Sequence, residues 1–285
     1  MKKFIIAMVL LQMVPLAVPV QAADVERTEV IEKTLRFGAT GGERLVVVDN
    51  VFGSIEVTGY DGEEVRVTVR KTIVARSEDK AAKAEEVITL DITEENELIE
   101  LYVDGPFRDR GRREGNWRGF NREGYRVNYD FEIMVPKDCA VELKTVNDGD
   151  ISVSGVTGDF DVNNVNGEIA MKDIRGSGDV YAVNGKVSIE FDRNPEGDCS
   201  IGTINGDVRL YFRPGLSADF YLKTMNGEAF TDFEVSALPT RTVSNDKQNG
   251  KKVYKIGHMS GVRAGRGGPE IELSTLNGDM FILSQ

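Results

Sequence analysis

Short stretches in which apolar and polar residues alternate recur along most of this chain. Residues 151–153 and 160–162 are examples, and glycine-containing turns separate such stretches from one another. Alternation with a period of two residues places successive side chains on opposite faces of a β-strand. The chain is therefore predicted to be all-β, and the same pattern is present upstream in residues 45–48, 53–59 and 65–69.

A short sequence motif that is repeated six times accompanies this alternation. Each copy has an apolar residue, an asparagine and a glycine, then a charged residue and a second apolar one. The repeated asparagines are Asn147, Asn166, Asn184, Asn205, Asn226 and Asn277. The glycines that follow them are 18, 18, 21, 21 and 51 residues apart, so an insertion lies in the last interval.

Two architectures use such turns differently. Asn-Gly between apolar stretches is typical of an antiparallel hairpin, because both residues tolerate the positive φ of a type I′ turn. A regular repeat of about 20 residues is typical of a β-solenoid, or β-helix-like stack, in which each rung buries its inward side chains on the next. We favour the solenoid and expect the six asparagines to form a hydrogen-bonded ladder with rungs about 4.8 Å apart.

The pattern divides the chain into three parts. Residues 1–22 contain two lysines, an apolar stretch and a Val20-Gln21-Ala22 cleavage pattern, as in a secretory signal peptide. Residues 23–135 are predicted to be an N-terminal β region with one short helix from Ser77 to Thr89 and a degenerate early rung at 50–53. Residues 136–285 are predicted to be the Asn-Gly solenoid.

Two insertions interrupt these parts, and both are expected to be loops. Residues 104–128 are rich in arginine and glycine, with four aromatic residues interleaved. Residues 232–268 are polar and rich in lysine, glycine and serine.

Charge and hydropathy limit the possible partners and location. Removal of a signal peptide with Lys2 and Lys3 changes the formal net charge from −12 to −14, which disfavours general binding to nucleic acid or to anionic membranes. No other stretch approaches the roughly 18 apolar residues of a membrane-spanning helix. We therefore expect an exported protein without a transmembrane anchor, located in the periplasm, at the cell surface or outside the cell.

The turn residues resemble those of a known family. Val135-Pro136 closes a strand before the first Asn-Gly copy, Thr-x-Asn-Gly-Asp copies follow, and Gly267-Gly268 precedes the last copy. In these features residues 40–285, apart from the two insertions, are similar to the bacterial putative-adhesin domains of unknown function. The resemblance implies an exported β-solenoid without a known catalytic centre. The arginine-rich insertion departs from the family pattern, which leaves its role open.

The residue inventory argues against most catalytic and metal chemistry. His258 is the single histidine and falls in an insertion, so a catalytic triad is disfavoured, and one histidine with two cysteines can hardly form a zinc site. Acidic residues after the repeat glycines allow a calcium hypothesis, but ordinary turn chemistry explains them better. We expect no cofactor and no enzymatic activity. A polysaccharide lyase or hydrolase is the alternative, because such enzymes can work with carboxylates and basic residues.

The arginine-rich insertion is the best candidate for a ligand-binding surface. Arginine pairs with carboxylate or phosphate, and aromatic rings stack on sugars. Residues 105–126 carry a net charge of +4 on an acidic chain, so an anionic envelope polymer, a glycan or another envelope protein is a plausible partner. Docking of the loop onto the protein's own acidic residues is the competing interpretation. The candidate ligand-binding residues are Arg108, Arg110, Arg112, Arg113, Trp117, Arg118, Phe120 and Arg122.

The two cysteines test the rung register. Cys139 and Cys199 fall three rungs apart, which separates them by about 14 Å along the axis, beyond the reach of a disulfide. We predict two unpaired thiols.

Overall fold

The computed structural model describes residues 24–38, 41–108, 123–242, 246–248, 251–253 and 258–285. The predicted signal peptide, residues 1–22, lies outside these ranges.

The N-terminal half of the described chain contains seven strands, one α-helix and a 3-10 turn at Pro106–Arg108. The strands are β1 (Val25–Arg36), β2 (Leu45–Asp49), β3 (Ile55–Tyr60), β4 (Glu64–Ala75), β5 (Thr89–Glu94), β6 (Leu98–Asp104) and β7 (Tyr125–Pro136). The helix is α1 (Glu78–Val87), and its N-cap Ser77 accepts a hydrogen bond from the backbone N–H of Lys80, as its sequence predicts.

The repeat region forms ten short strands. They are β8 (Ala140–Thr145), β9 (Ile151–Ser154), β10 (Phe160–Asn166), β11 (Ile169–Ile174), β12 (Gly178–Asn184), β13 (Val187–Phe191), β14 (Cys199–Asn205), β15 (Val208–Phe212), β16 (Ala218–Lys223) and β17 (Ala229–Thr231). The remaining strands are β18 (Val235–Thr242), β19 (Asp246–Gln248), β20 (Lys251–Val253), β21 (His258–Ala264), β22 (Glu270–Ser274) and β23 (Met280–Ser284).

These strands form two large sheets, while β19 and β20 pair with each other. The ten-stranded sheet has the order β1-β4-β7-β3-β9-β11-β13-β15-β23-β17. The eleven-stranded sheet has the order β18-β21-β16-β22-β14-β12-β10-β8-β2-β6-β5.

Each rung of the stack contributes one strand to each large sheet, and an Asn-Gly corner joins the two strands. Neighbouring rungs pair in parallel, so that Ile151 lies beside Ile169 and Ile169 beside Val187. The β-solenoid prediction is therefore confirmed, and the antiparallel meander is wrong. Among the described non-glycine residues only Asp148 and Asp173 have positive φ, so the repeated asparagines do not adopt the conformation of a type I′ hairpin.

The last rung in sequence is an internal rung of the stack. β22 lies between β14 and β16, and β23 lies between β15 and β17. The chain therefore leaves a gap one rung wide after β15, builds β16 and β17 beyond it, and returns to fill the gap with its C-terminal residues.

The N-terminal region joins the same stack. β2 and β3 pair in parallel with β8 and β9, and Phe52 forms a bridge with Asn147, which confirms residues 50–53 as an early rung. Alternate side chains of both sheets form one apolar core that includes residues from Leu35 to Ile282. The two large sheets therefore continue without interruption across residues 135 and 136.

The expectation of a loop at 232–268 is wrong in part. β18 and β21 lie within it and pair antiparallel, and β21 also pairs with β16. These strands satisfy backbone groups that the edge of the eleven-stranded sheet would otherwise leave open, which is why this polar sequence is extended. In the described part of the chain, no helix is long and apolar enough to cross a membrane.

Candidate functional site

The repeated asparagines form one column along a corner of the stack. Apart from Asn147 at the start of the column, each side-chain amide donates to the side-chain oxygen of an asparagine on the adjoining rung, for example Asn184 Nδ2 to Asn166 Oδ1 at 2.9 Å. The spatial order of the column is Asn147, Asn166, Asn184, Asn205, Asn277 and Asn226. The side chains are exposed or half-buried, so the column presents a polar, hydrogen-bonded ridge.

A second column lies just inside the first. Thr145, Thr203 and Thr275 are buried, and each hydroxyl donates to the carbonyl of a corner glycine on the adjoining rung. Asn164 occupies the same position and donates to Gly149 O at 3.1 Å. These side chains hold the corners of neighbouring rungs at a fixed distance.

The acidic residues after the repeat glycines also bind neighbouring rungs. Asp150 Oδ1 accepts the backbone N–H of Glu168 at 2.7 Å, and Asp279 Oδ1 accepts that of Glu228 at 2.9 Å. The pKa of Asp207 is lowered, mainly because its carboxylate accepts the backbone N–H of Asp279. Within the described ranges, no three His, Cys, Asp or Glu side chains converge as a possible metal site. The hydrogen bonds from these backbone N–H groups to the carboxylates of Asp150, Asp207 and Asp279 link neighbouring rungs of the stack.

Beside the asparagine column, the outer face of the eleven-stranded sheet contains a groove of about 350 Å³. We call it the corner groove. Three half-buried valines and the buried Val51 form its apolar part, Phe107 and Tyr181 provide aromatic surface, and polar groups complete the lining. The lining residues are Asp49, Val51, Phe107, Arg108, Lys144, Thr145, Val146, Asn163, Asn164, Val165, Tyr181 and Val183.

Two aromatic rings are held in place at this groove. Phe107 lies in the 3-10 turn after β6, and its ring contacts Phe52 edge-on with 6.5 Å between centroids. Tyr181 points outward from β12, 40% exposed, and lies next to Gly202 of the adjoining strand. A Cβ at Gly202 would lie 2.5 Å from Ser274 Oγ and 3.5 Å from the tyrosine ring, so both side chains pack against this buried glycine.

Arg108 is anchored to the body of the protein. Its guanidinium donates to Asp49 Oδ1 at 2.8 Å and lies over the Tyr102 ring, with 4.5 Å from its central carbon to the ring centroid. It also donates to the backbone oxygens of Val103 and Asp49. The charge of Arg108 is thus largely compensated, and this residue fixes the start of the arginine-rich segment at the rim of the corner groove.

Lys144 is the second cation of the groove. Its ammonium group forms a salt bridge with Glu142 at 2.6 Å. That hydrogen bond is the main cause of a raised pKa at Lys144, and the nearby carboxylates of Glu142, Asp161 and Asp49 add to it. Lys144 is therefore held in its protonated form.

The structure describes one of the eight predicted ligand-binding residues. Arg108 lies at the groove, whereas Arg110, Arg112, Arg113, Trp117, Arg118, Phe120 and Arg122 lie outside the described residues. The predicted insertion also ends earlier than residue 128, because β7 begins at Tyr125. At its far end Glu123 pairs with Lys83 of α1 at 2.7 Å.

Sequence reasoning missed Tyr181, Lys144 and Asn163. All three are outward-facing residues of strands that precede an Asn-Gly corner, so their position in the repeat was the available signal. Their convergence with Phe107 depends on the pairing of distant strands.

The two cysteines are free, as predicted, and both are buried. Burial raises the pKa of Cys139 to about 12 and that of Cys199 to about 11. The backbone of His258 begins β21, and its side chain lies outside the described part.

Comparison of the sequence with models of protein families finds a match in the repeat region. Residues 140–262 match the model of the family described as Toastrack DUF4097. No curated protein matches the chain.

Solved structures with a similar arrangement include a putative cell adhesion protein from Clostridium sporogenes ATCC 15579, with 12% identity, coverage of 90% of this chain and 100% of that chain, and a TM-score of 0.38. A putative adhesin from Bacteroides fragilis NCTC 9343 has 10% identity, coverage of 90% and 97%, and a TM-score of 0.38. A putative lipid binding protein from Parabacteroides distasonis ATCC 8503 has 13% identity, coverage of 90% and 96%, and a TM-score of 0.33. Residues 140–262 thus match the Toastrack DUF4097 family model, which confirms the predicted resemblance of this part of the chain to a family of domains of unknown function.

Proposed function

We propose that this protein is a non-enzymatic, adhesin-like binding protein of the cell envelope that holds an anionic glycan or envelope polymer at the corner groove. The observation that carries the proposal is that the exposed ring of Tyr181 and the half-buried ring of Phe107 line the same groove as Arg108, the anchored first arginine of the arginine-rich segment. Aromatic rings stack on the apolar faces of sugars, and arginine forks bind carboxylate or phosphate.

The charges of the described groove residues support a proposal in which the groove contributes apolar and aromatic contacts and the arginine-rich segment contributes positive charge. Arg108 and Lys144 are each paired with a carboxylate, so the groove itself offers apolar, aromatic and neutral polar surface. The sequence of residues 109–122 adds a net charge of +3, from Arg110, Arg112, Arg113, Arg118 and Arg122 against Asp109 and Glu114, and it contains the aromatic residues Trp117 and Phe120. An anionic polysaccharide fits both parts.

A binding role is favoured over catalysis by the state of the groove's titratable groups. A general base works best when its pKa lies near the operating pH, whereas the pKa of Lys144 is raised further by Glu142. The repeated carboxylates at the corners accept backbone N–H groups. Export, either to the periplasm or to the cell surface, belongs to the same proposal and follows from the signal peptide predicted at residues 1–22.

Binding to immobilised polygalacturonate, with neutral dextran as the reference matrix, tests the proposal. Tyr181→Ala and Phe107→Ala are expected to weaken retention about tenfold or more, since stacking contributes about 1–3 kcal/mol per ring. Tyr211→Ala is the matched control, because Tyr211 points outward from the other sheet. Replacement of residues 109–122 by a glycine-serine segment of equal length is expected to abolish retention without lowering the melting temperature.

Two outcomes contradict the proposal. A lower melting temperature with unchanged retention after the segment replacement would indicate a structural role for residues 109–122. Release of new reducing ends or unsaturated sugars from the polymer would indicate a polysaccharide-active enzyme.

A further inference from the structure

The two sheets do not end at the same level at the β17 end of the stack. β17 is the last strand of the ten-stranded sheet, and no other described strand pairs with its outer edge. In the eleven-stranded sheet, β21 and β18 extend beyond β16, the rung partner of β17. The eleven-stranded sheet therefore overhangs by two strands, or about 10 Å.

The outer strand of the overhang leaves a core-facing side chain, Val235, exposed. Val235 of β18 lies directly opposite Ala264 of β21, which in turn lies opposite Ala218 of β16. Residues directly opposite one another in a sheet point to the same face. Ala218 and Ala264 are 0% and 1% exposed, whereas Val235, on the outermost strand of the overhang, is 43% exposed.

The edge of β17 is ready to accept a strand. Met280 of β23 donates to Glu228 O, so the backbone groups of alternate residues Ala229 and Thr231 point away from β23 toward the open edge. All three residues of β17 are exposed. Behind the step Phe233 packs edge-on against Phe212, with 6.5 Å between centroids, and closes the core.

A row of stacked side chains crosses the outer face at this edge. The guanidinium of Arg209 lies over the Phe281 ring at 4.2 Å, and Phe281 stacks on Phe230 at 5.2 Å. Phe230 is still 43% exposed. An added strand would place its next outward side chain over this ring, where a second guanidinium repeats the contact made by Arg209.

We propose that this step, formed by β17 and the overhanging β18 and β21, binds an extended basic segment of another polypeptide as an additional strand of the ten-stranded sheet. Its inward residues would be apolar and extend the core along β21 toward Val235, and its outward residues would be arginine or lysine. Charge complementarity selects this partner, because Glu228, Asp232 and Glu234 are all exposed around the step.

A second copy of this chain fits the step formed by β17, β18 and β21 less well than a basic segment does. Pairing of two β17 edges would bring the same three acidic residues of each copy together. The opposite edge, β1, carries Arg27, Glu29 and Lys33 at positions facing the interior side of the sheet, which protects an edge against pairing.

The test uses a labelled peptide of about seven residues that alternates valine and arginine, the length of an ordinary strand. Fluorescence polarisation with residues 23–285 of the chain measures its binding. A peptide of the same composition, with its valines in one block and its arginines in another, is the pattern control and is expected to bind about tenfold more weakly.

Two variants locate the site. Ala229→Pro removes an outward N–H from an edge strand, where proline is tolerated, and Val235→Lys puts a charge into the step. Each is expected to weaken binding of the alternating peptide about tenfold or more, whereas Leu276→Lys, which is 38% exposed on the asparagine corner, is expected to change it less than about twofold. If Ala229→Pro lowers the melting temperature, its loss of binding could come from partial unfolding. The effect of Val235→Lys on peptide binding then decides whether the step is the binding site.

Three results would overturn the inference. Equal binding of the block peptide would show attraction by charge alone, and equal loss with Leu276→Lys would remove the site from the step. Self-association in sedimentation velocity that Ala229→Pro abolishes would identify a second copy as the occupant. Retention on polygalacturonate is a separate readout, so failure here leaves the corner groove untouched.

Discussion

Asn277 donates its side-chain amide to Asn205 Oδ1 at 2.7 Å, although 72 residues separate them in the chain. Asn226 follows Asn205 much sooner in sequence, yet it hydrogen-bonds to Asn277, also at 2.7 Å. The C-terminal rung is thus the link between β14/β15 and β16/β17. The integrity of the stack at this end depends on the last residues of the chain.

Truncation of residues 269–285 tests this dependence. Cys199 is 3% exposed and pairs with Ile271 of β22. Without β22 we expect Cys199 to become reactive toward maleimide under native conditions, as measured by mass spectrometry, while Cys139 stays protected at the distant β8 rung. Continued protection of Cys199 would mean that β16 closes the gap in place of β22.

The intact protein is expected to have two unreactive thiols at neutral pH. Burial raises the pKa of Cys139 to about 12 and that of Cys199 to about 11, against about 8.5 for an exposed thiol. Because the thiol pKa is higher in the folded chain than in the unfolded one, deprotonation of the cysteines favours the unfolded chain. The thiolate reacts with iodoacetamide, so the rate of alkylation should keep rising from pH 8 to 10. A rate that levels off near pH 9 in the native protein would contradict this expectation, and urea-unfolded protein provides the reference.

Gly185→Ala is expected to destabilise the stack strongly. An added Cβ would lie 1.9 Å from the backbone oxygen of Gly167 on the adjoining rung. Backbone cannot move away as a flexible side chain can, so we expect a loss of about 1–3 kcal/mol or more in the free energy of unfolding. Gly41→Ala is the control, since nothing lies within 4 Å of its Cβ position. Similar urea midpoints for the two variants would exclude close corner packing.

Each side-chain hydrogen bond of the asparagine column is expected to contribute separately to the free energy of unfolding. Asn184→Ala removes two side-chain hydrogen bonds, one to Asn166 and one from Asn205. Asn226 lies at the end of the column and makes one such bond, so Asn226→Ala should cost about half as much. For exposed amides we expect about 0.5–1 kcal/mol per bond in urea unfolding. Equal losses in the two variants would argue against an additive ladder.

Local chemistry in the sequence determined the repeating part of this protein. Period-two alternation gave the strands, the repeated Asn-Gly phrase gave the corners and their stacking, and Ser77 gave the start of α1. Each of these signals lies within a few residues, and its repetition at a constant spacing is enough to indicate parallel rungs.

Only the tertiary structure decided the order of the rungs and the surfaces that result from it. Pairing of β22 with both β14 and β16 joins residues far apart in the chain, and no local pattern distinguishes an internal rung from a terminal one. The same long-range pairing extends β18 and β21 along a sheet edge and brings Phe107 beside Tyr181. Hydrogen bonding and burial between distant segments fixed these features, because a strand's neighbours depend on which open edge the folded chain offers it.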